Sequence, residues 1–138
     1  MSAVLCLDVG MRRVGVAVSD AAGITAQPLE VIDRKDTDPF AAIAALIEAR
    51  DVEIVVVGLP LALDGTEGPA VRRTRRFVED LCARVGDVTV VEWDERMSTV
   101  AAERAMLEGD VSRARRKESV DSVAASLILQ SYLGSRAP

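Results

Sequence analysis

Histidine is absent from this chain, aromatic residues make up 3% of it, and only two cysteines occur in its 138 residues. Each scarcity removes a class of chemistry. Without imidazole there is no Ser/His/Asp or Cys/His nucleophilic site, no common type of catalytic zinc centre and no histidine general base. Reaction chemistry must therefore run on carboxylates, arginines, lysines, hydroxyls or metal ions held by oxygen. Cys6 falls in a strand-like run and Cys82 in a helical one; both read as small buried hydrophobes in a reducing compartment rather than as a disulfide. No apolar run reaches the length of a membrane span, and no charged start with an apolar core and small-residue cleavage site precedes Asp8. The expectation is a cytoplasmic protein with no membrane partner. Trp93 is the one aromatic near the candidate chemistry, so stacking on unpaired bases has little to build on.

What is present is a core. Nearly half of the residues are apolar, which excludes disorder and suits one domain over residues 1–138. Val4 to Leu7 and Val14 to Val18 read as two strands of a hairpin, and Ile24 to Ile32 as a third, with Pro28 hinting at a sheet edge. Thr37 or Asp38 caps a helix with Pro39 at its first position, and Phe40, Ile43, Ala44 and Ile47 keep helical spacing to Arg50. Val52 to Val57 is almost wholly apolar, as a central strand covered on both faces should be. A helix is expected from Pro69 to about Val85, a fifth strand over Val88 to Trp93, a helix from Ser98 or Thr99 to about Gly109, and a last one from Ser119 to Gly134. The order is βββαβαβαα, an α/β fold with a five-stranded mixed sheet flanked by helices.

Acids stand where these elements end. Asp8 closes an apolar strand ahead of Gly10; a carboxylate there either caps the turn or is held by a partner or a metal. Asp94 and Glu95 follow the fifth strand. In the last helix, Asp121 extends the stripe of Ala124, Ala125, Ile128 and Tyr132, so it is either a first-turn acid on the helix dipole or a ligand aimed at the strand ends. Three carboxylates meeting at one sheet edge would repel strongly unless a divalent cation neutralised them.

The net charge of −5 argues mildly against a general nucleic-acid coat, yet ten of the seventeen cationic residues fall in three clusters: Arg12 and Arg13; Arg72, Arg73, Arg75 and Arg76; Arg113, Arg115, Arg116 and Lys117. Guanidinium groups gathered on one edge would form a phosphate track, and otherwise they are solvated faces. The segment from Gly109 to Lys117, with four cations and few apolar residues, reads as a basic loop that orders on substrate. The loop from Gly58 to Gly68 leaves a buried strand for a helix N-terminus, a phosphate-attracting position, but lacks the spacing and lysine of a P-loop.

Four ordered blocks carry a resemblance that spans essentially the whole chain. Leu7-Asp8-Val9-Gly10 with Arg13 to Asp20, Val57-Gly58-Leu59-Pro60 with Asp64 to Gly68, Asp94 to Thr99, and Asp121 to Ala125 with Ile128 to Leu133 resemble the YqgF/RuvX family. The resemblance implies a ribonuclease H-like fold and a nuclease that acts on the 5′ end of precursor 16S ribosomal RNA or on Holliday junctions. Its acid triad maps onto Asp8, Glu95 and Asp121, with Asp94 the alternative for the middle acid. Those acids would hold two Mg²⁺ or Mn²⁺ ions, Asp8 bridging them. The backbone of a structured nucleic acid would fall to Arg12, Arg13, Thr66, Arg72, Arg73, Arg76, Arg96, Arg113, Arg115, Arg116 and Lys117, helped by the Gly65 and Gly68 amides. Symmetric junction cleavage would need a homodimer, whereas trimming one RNA strand needs one site. A non-catalytic RNA- or DNA-binding adaptor of the same fold is the alternative function.

Overall fold

Residues 3–62, 64–97 and 113–136 are described in the computed structural model, with the side chains of 113–120 left aside. Strands β1 (Ala3–Val9), β2 (Arg13–Ser19), β3 (Ala26–Asp33), β4 (Val52–Leu59) and β5 (Thr89–Asp94) form one sheet in the order β3-β2-β1-β4-β5. The β1-β2 and β2-β3 pairs are antiparallel and the β1-β4 and β4-β5 pairs parallel. Helices α1 (Pro39–Arg50), α2 (Pro69–Val85) and α3 (Arg113–Ser135) complete the described elements. The helix expected between Ser98 and Gly109 lies outside the described residues.

Strand periodicity sorts the core into two layers. Leu5, Leu7, Val14, Val16, Val55 and Val57 face α1 and α2, where Ile43, Phe77 and Leu81 meet them. Cys6, Ala17 and Val56 point the other way, onto Ala124, Ala125, Ile128, Leu129 and Tyr132 of α3. Covering on both faces explains why Val55, Val56 and Val57 read as an unbroken apolar run.

The cap of α1 is Asp38, whose carboxylate accepts from the Phe40 amide at 3.0 Å. Strand β3 is the edge at which Pro28 hinted, its pairing with β2 slipping between Val16 and Ala17, next to Pro28. It starts at Ala26 rather than Ile24, because the Asp20 carboxylate accepts from the amides of Ile24 and Thr25, at 2.7 and 3.3 Å, and bends the chain there. The last helix departs further from expectation. It is already helical at Arg113, so Arg113 to Lys117 is helix and not loop, and it runs one residue past Gly134. Alanine, arginine and lysine are good helix formers, and that local preference outweighs the cap signal of Ser119.

Close approach of α3 to the sheet depends on Gly15. A Cβ on Gly15 would lie 2.0 Å from the backbone oxygen of Asp121, and a backbone neighbour has no rotamer through which to yield. Gly15→Ala should therefore destabilise the fold by about 3 kcal/mol. A urea denaturation midpoint equal to that of the parent chain would show that α3 can move off β2 without cost.

Candidate active site

Three elements bring one acid each to the carboxyl ends of β1 and β4. Asp8 shares the α3 face of β1 with Cys6. Its register partner on β2 is Gly15, over which the Asp121 backbone passes. Glu95 opens the 3-10 turn Glu95–Met97 that follows β5. Its carboxylate lies over Gly58 of β4, where a Cβ would meet the Glu95 Oε1 at 2.8 Å and the Ile128 Cδ1 at 2.9 Å. Ser131 of α3 ties the turn down, its hydroxyl donating to the Met97 carbonyl at 2.8 Å and accepting from the Trp93 indole at 3.3 Å.

Asp8, Glu95 and Asp121 rim one cavity of about 290 Å³, together with Arg12, Arg13 and Gly10. Charge in this cavity is felt inside the protein: the Cys6 thiol is pushed well above its ordinary pKa, first by burial and then by the negative fields of Asp8 and Glu95. Among the described residues, no group of three or more acidic or thiol side chains is placed to hold one ion. An oxygen-only donor set spread around a cavity suits Mg²⁺, which keeps several waters and takes one or two carboxylates with substrate phosphates.

The neighbouring Asp94 turns elsewhere. Arg96 donates to both of its carboxylate oxygens, with Oδ2 lying 3.0 Å from Nε and 2.8 Å from Nη2 and Oδ1 lying 3.1 Å from Nε, and the Arg96 amide donates to Oδ1 at 2.9 Å. The strand ending thus separates two adjacent acids, one to the cavity and one to an arginine.

The candidate backbone contacts divide in the same way. Arg12 and Arg13 rim the acid cavity, Arg12 also lying 3.8 Å from Asp33. Arg72, Arg73 and Arg76 are exposed on α2, whereas Arg75 is bound to Glu67 and lies 3.5 Å from Glu92. Arg96 is drawn to Asp94 and also lies over Gly65. The Thr66 hydroxyl donates to Asp64 at 2.7 Å, and the Gly65 amide to the Ala62 carbonyl at 2.8 Å, so both donors are engaged within the loop. The side chains of Arg113, Arg115, Arg116 and Lys117 lie outside the described residues. Sequence alone does not single out Arg34. Its Nη1 donates to the Gly10 carbonyl at 2.8 Å, and its guanidinium stacks 5.2 Å above the Phe77 ring, bracing the β1-β2 turn.

Comparison with known proteins agrees with this geometry. The family model described as RuvX: Holliday junction resolvase matches residues 2–135. The chain belongs to the RuvX family. A Myxococcus xanthus protein named "Putative pre-16S rRNA nuclease" is 49% identical over 133 residues, covering 96% of this chain and 87% of the relative. A Symbiobacterium thermophilum protein of the same name is 51% identical over 133 residues, covering 95% and 91%. Thermus thermophilus RuvC in complex with a Holliday junction substrate superposes with a TM-score of 0.60 at 17% identity, covering 99% of this chain and 96% of RuvC. The ribonuclease H-like fold expected for a RuvX-family chain is therefore borne out, as is its place among nucleases that hydrolyse phosphodiester bonds. Among the described residues, no helix is long and apolar enough to cross a membrane.

The ion pair that diverts Asp94 has a pH signature. Asp94 is held below the usual carboxylate range chiefly by its hydrogen bonds from Arg96, Asp38 by Arg84, Asp64 by Thr66 and Asp20 by the Ile24 amide. A carboxylate with a depressed folded pKa stabilises the fold above its unfolded value of about 4, and that stabilisation is lost as pH falls through the folded value. Melting temperature should thus fall below about pH 4, and Asp94→Asn should make the fall shallower. Identical acid profiles for the variant and the parent would mean that the Arg96 pairing contributes nothing to the fold.

Proposed function

We propose that this chain is a divalent-metal-dependent endonuclease of structured RNA that acts at the 5′ end of precursor 16S ribosomal RNA, with Asp8, Glu95 and Asp121 as its metal-holding and catalytic acids. The observation that carries the reading is the gathering of these three carboxylates, from three separate elements, around one cavity at the sheet edge. Relatives about half identical over nearly the whole chain carry the precursor-rRNA name.

Asp8 projects from the rigid middle of the sheet, the position that suits a shared ligand, while Glu95 and Asp121 approach from a turn and a helix on either side. Two Mg²⁺ or Mn²⁺ ions, when bound by these acids, supply an activated water and the positive charge that stabilises the phosphate and its leaving oxygen. Arg12 and Arg13 at the rim draw the strand in and orient its phosphates. With no histidine in the chain, no imidazole is available as the general base. The carboxylates of the cavity are the groups of this chain placed to take a proton there.

Asp8→Asn, Glu95→Gln and Asp121→Asn should each lower cleavage of a labelled precursor RNA by roughly 100-fold or more, about 2.7 kcal/mol of barrier. Each should melt close to the parental temperature, so that lost cleavage is distinguished from a lost fold. Asp94→Asn should keep most of the activity. An Asp8→Asn protein that cuts at the parental rate in Mg²⁺ would remove the acid cavity from the reaction. A labelled four-way junction assayed beside the RNA separates the two substrates.

Replacing Arg72, Arg73 and Arg76 together by alanine should weaken binding of structured RNA without regard to sequence. It should also flatten the salt dependence by about one unit of slope for each phosphate that these arginines neutralise. A salt titration that overlays the parental one would mark these three as a solvated helix face.

A further inference from the structure

Across the Gly10 and Met11 turn from the acids lies a second cavity, of about 70 Å³, whose lining includes Gly10, Met11, Arg34, Ala70, Arg73 and Thr74. Gly10, Met11 and Ala70 also line the acid cavity, so the two abut. Thr74 is the informative residue. It is only 2% exposed, yet its hydroxyl makes no hydrogen bond to any described residue. A threonine within a helix ordinarily turns its hydroxyl onto the carbonyl one turn back, and a buried hydroxyl left unpaired is costly enough to demand a reason.

The surroundings of that hydroxyl are cationic. Arg34 is locked by its hydrogen bond to Gly10 and its stacking on Phe77, which engage one face and one nitrogen and leave further N–H groups to donate. Arg73 forms no ion pair among the described residues. Ala70, Arg73 and Thr74 belong to the first two turns of α2, whose N-cap Gly68 supplies no side-chain acceptor. The positive end of that helix adds its field to the two guanidiniums.

We propose that this second cavity is a phosphate subsite, in which Thr74, Arg34 and Arg73 hold the backbone phosphate next to the one at the acids. The ligand as a nucleic-acid phosphate rests on the nuclease reading above, while the anion chemistry rests on the cavity alone. With no partner among the described residues, the hydroxyl can donate to a phosphate oxygen. Guanidinium supplies the planar, bidentate partner that phosphate geometry favours. Holding two successive phosphates would fix the strand in one direction across the β1-β2 turn.

The test is a ¹⁵N–¹H NMR titration of the whole chain with inorganic phosphate in the presence of a chelator, so that neither metal nor cleavage takes part. Saturable shifts are expected at the amides of Gly10, Met11, Arg34 and Thr74. Arg73→Ala should weaken the phosphate Kd roughly tenfold. Thr74→Val, which matches threonine in shape, should weaken it severalfold and raise the melting temperature, because it removes the unpaired hydroxyl. It should also raise KM for precursor RNA with little change in kcat. Shifts spread evenly over Arg72, Arg76 and the other exposed cations without saturation would overturn the subsite. So would a Thr74→Val chain that melts lower and binds phosphate as before. If Asp8→Asn cleaves at the full rate while phosphate still saturates Gly10 and Thr74, the acid reading fails and the subsite stands. If cleavage is metal-dependent while those amides ignore phosphate, the reverse holds.

Discussion

The close approach between the backbone of α3 and Gly15 of β2 is the constraint on which the site depends. Gly15 is the register partner of Asp8, and the Asp121 carbonyl passes so close above it that no side chain fits between. The separation of the first and third acids is thereby set by two backbones, which are stiffer than any pair of side chains. Gly58 does the same for the middle acid, letting the Glu95 carboxylate lie on β4 beside Ile128. Ser131 then links the turn that carries Glu95 to the helix that carries Asp121. Three carboxylates from separate elements are thus brought to one cavity by apolar packing of α3 on the sheet, through Ala124, Ala125, Ile128 and Leu129.

Charge pairing around this centre decides which cations are left for a partner. Arg75, Arg84 and Arg96 each engage an acid, and each is partly exposed. Pairs of that kind contribute little to stability. Their effect is positional: Arg96 removes Asp94 from the cavity and packs over the loop at Gly65, and Arg75 joins the segment before α2 to β5. Arg72, Arg73 and Arg76 are left exposed on α2, Arg73 at the second cavity.

The strands are legible in the sequence because the Val-rich runs of β1, β2 and β4 leave few alternatives, and Asp8 and Asp121 stand out as charges on apolar patterns. The choice between Asp94 and Glu95 is not, since adjacent acids at a strand end differ only in the direction they leave it, which Arg96 and Gly58 decide. Gly15 reads as an ordinary strand glycine, because its reason lies more than a hundred residues away at Asp121. Arg34 looks like part of a solvated turn beside Lys35 and Asp36, and only the fold brings it to Gly10 and Phe77. The start of the last helix escapes the sequence reading because Ser119 offers a cap, while the preceding Arg-Ala-Arg-Arg-Lys run favours helix by propensity alone.

A chain of net charge −5 has no global attraction for a polyanion, so any affinity must come from local fields. The turn between β1 and β2 divides that field, with three carboxylates and the Arg12 and Arg13 guanidiniums on one side and the guanidiniums of Arg34 and Arg73 on the other. A phosphate at the acid cavity meets Arg12 and Arg13 beside the carboxylates, and one held by Arg34 and Arg73 alone lies on the far side of the turn from the acids. On the proposed reading, a strand crossing the turn would meet cations in both cavities and carboxylates in one of them. On that reading the charge division across Gly10 and Met11 is a positioning device, set by a short turn that Arg34 braces and by the strand β2 on which Gly15 lets α3 pack.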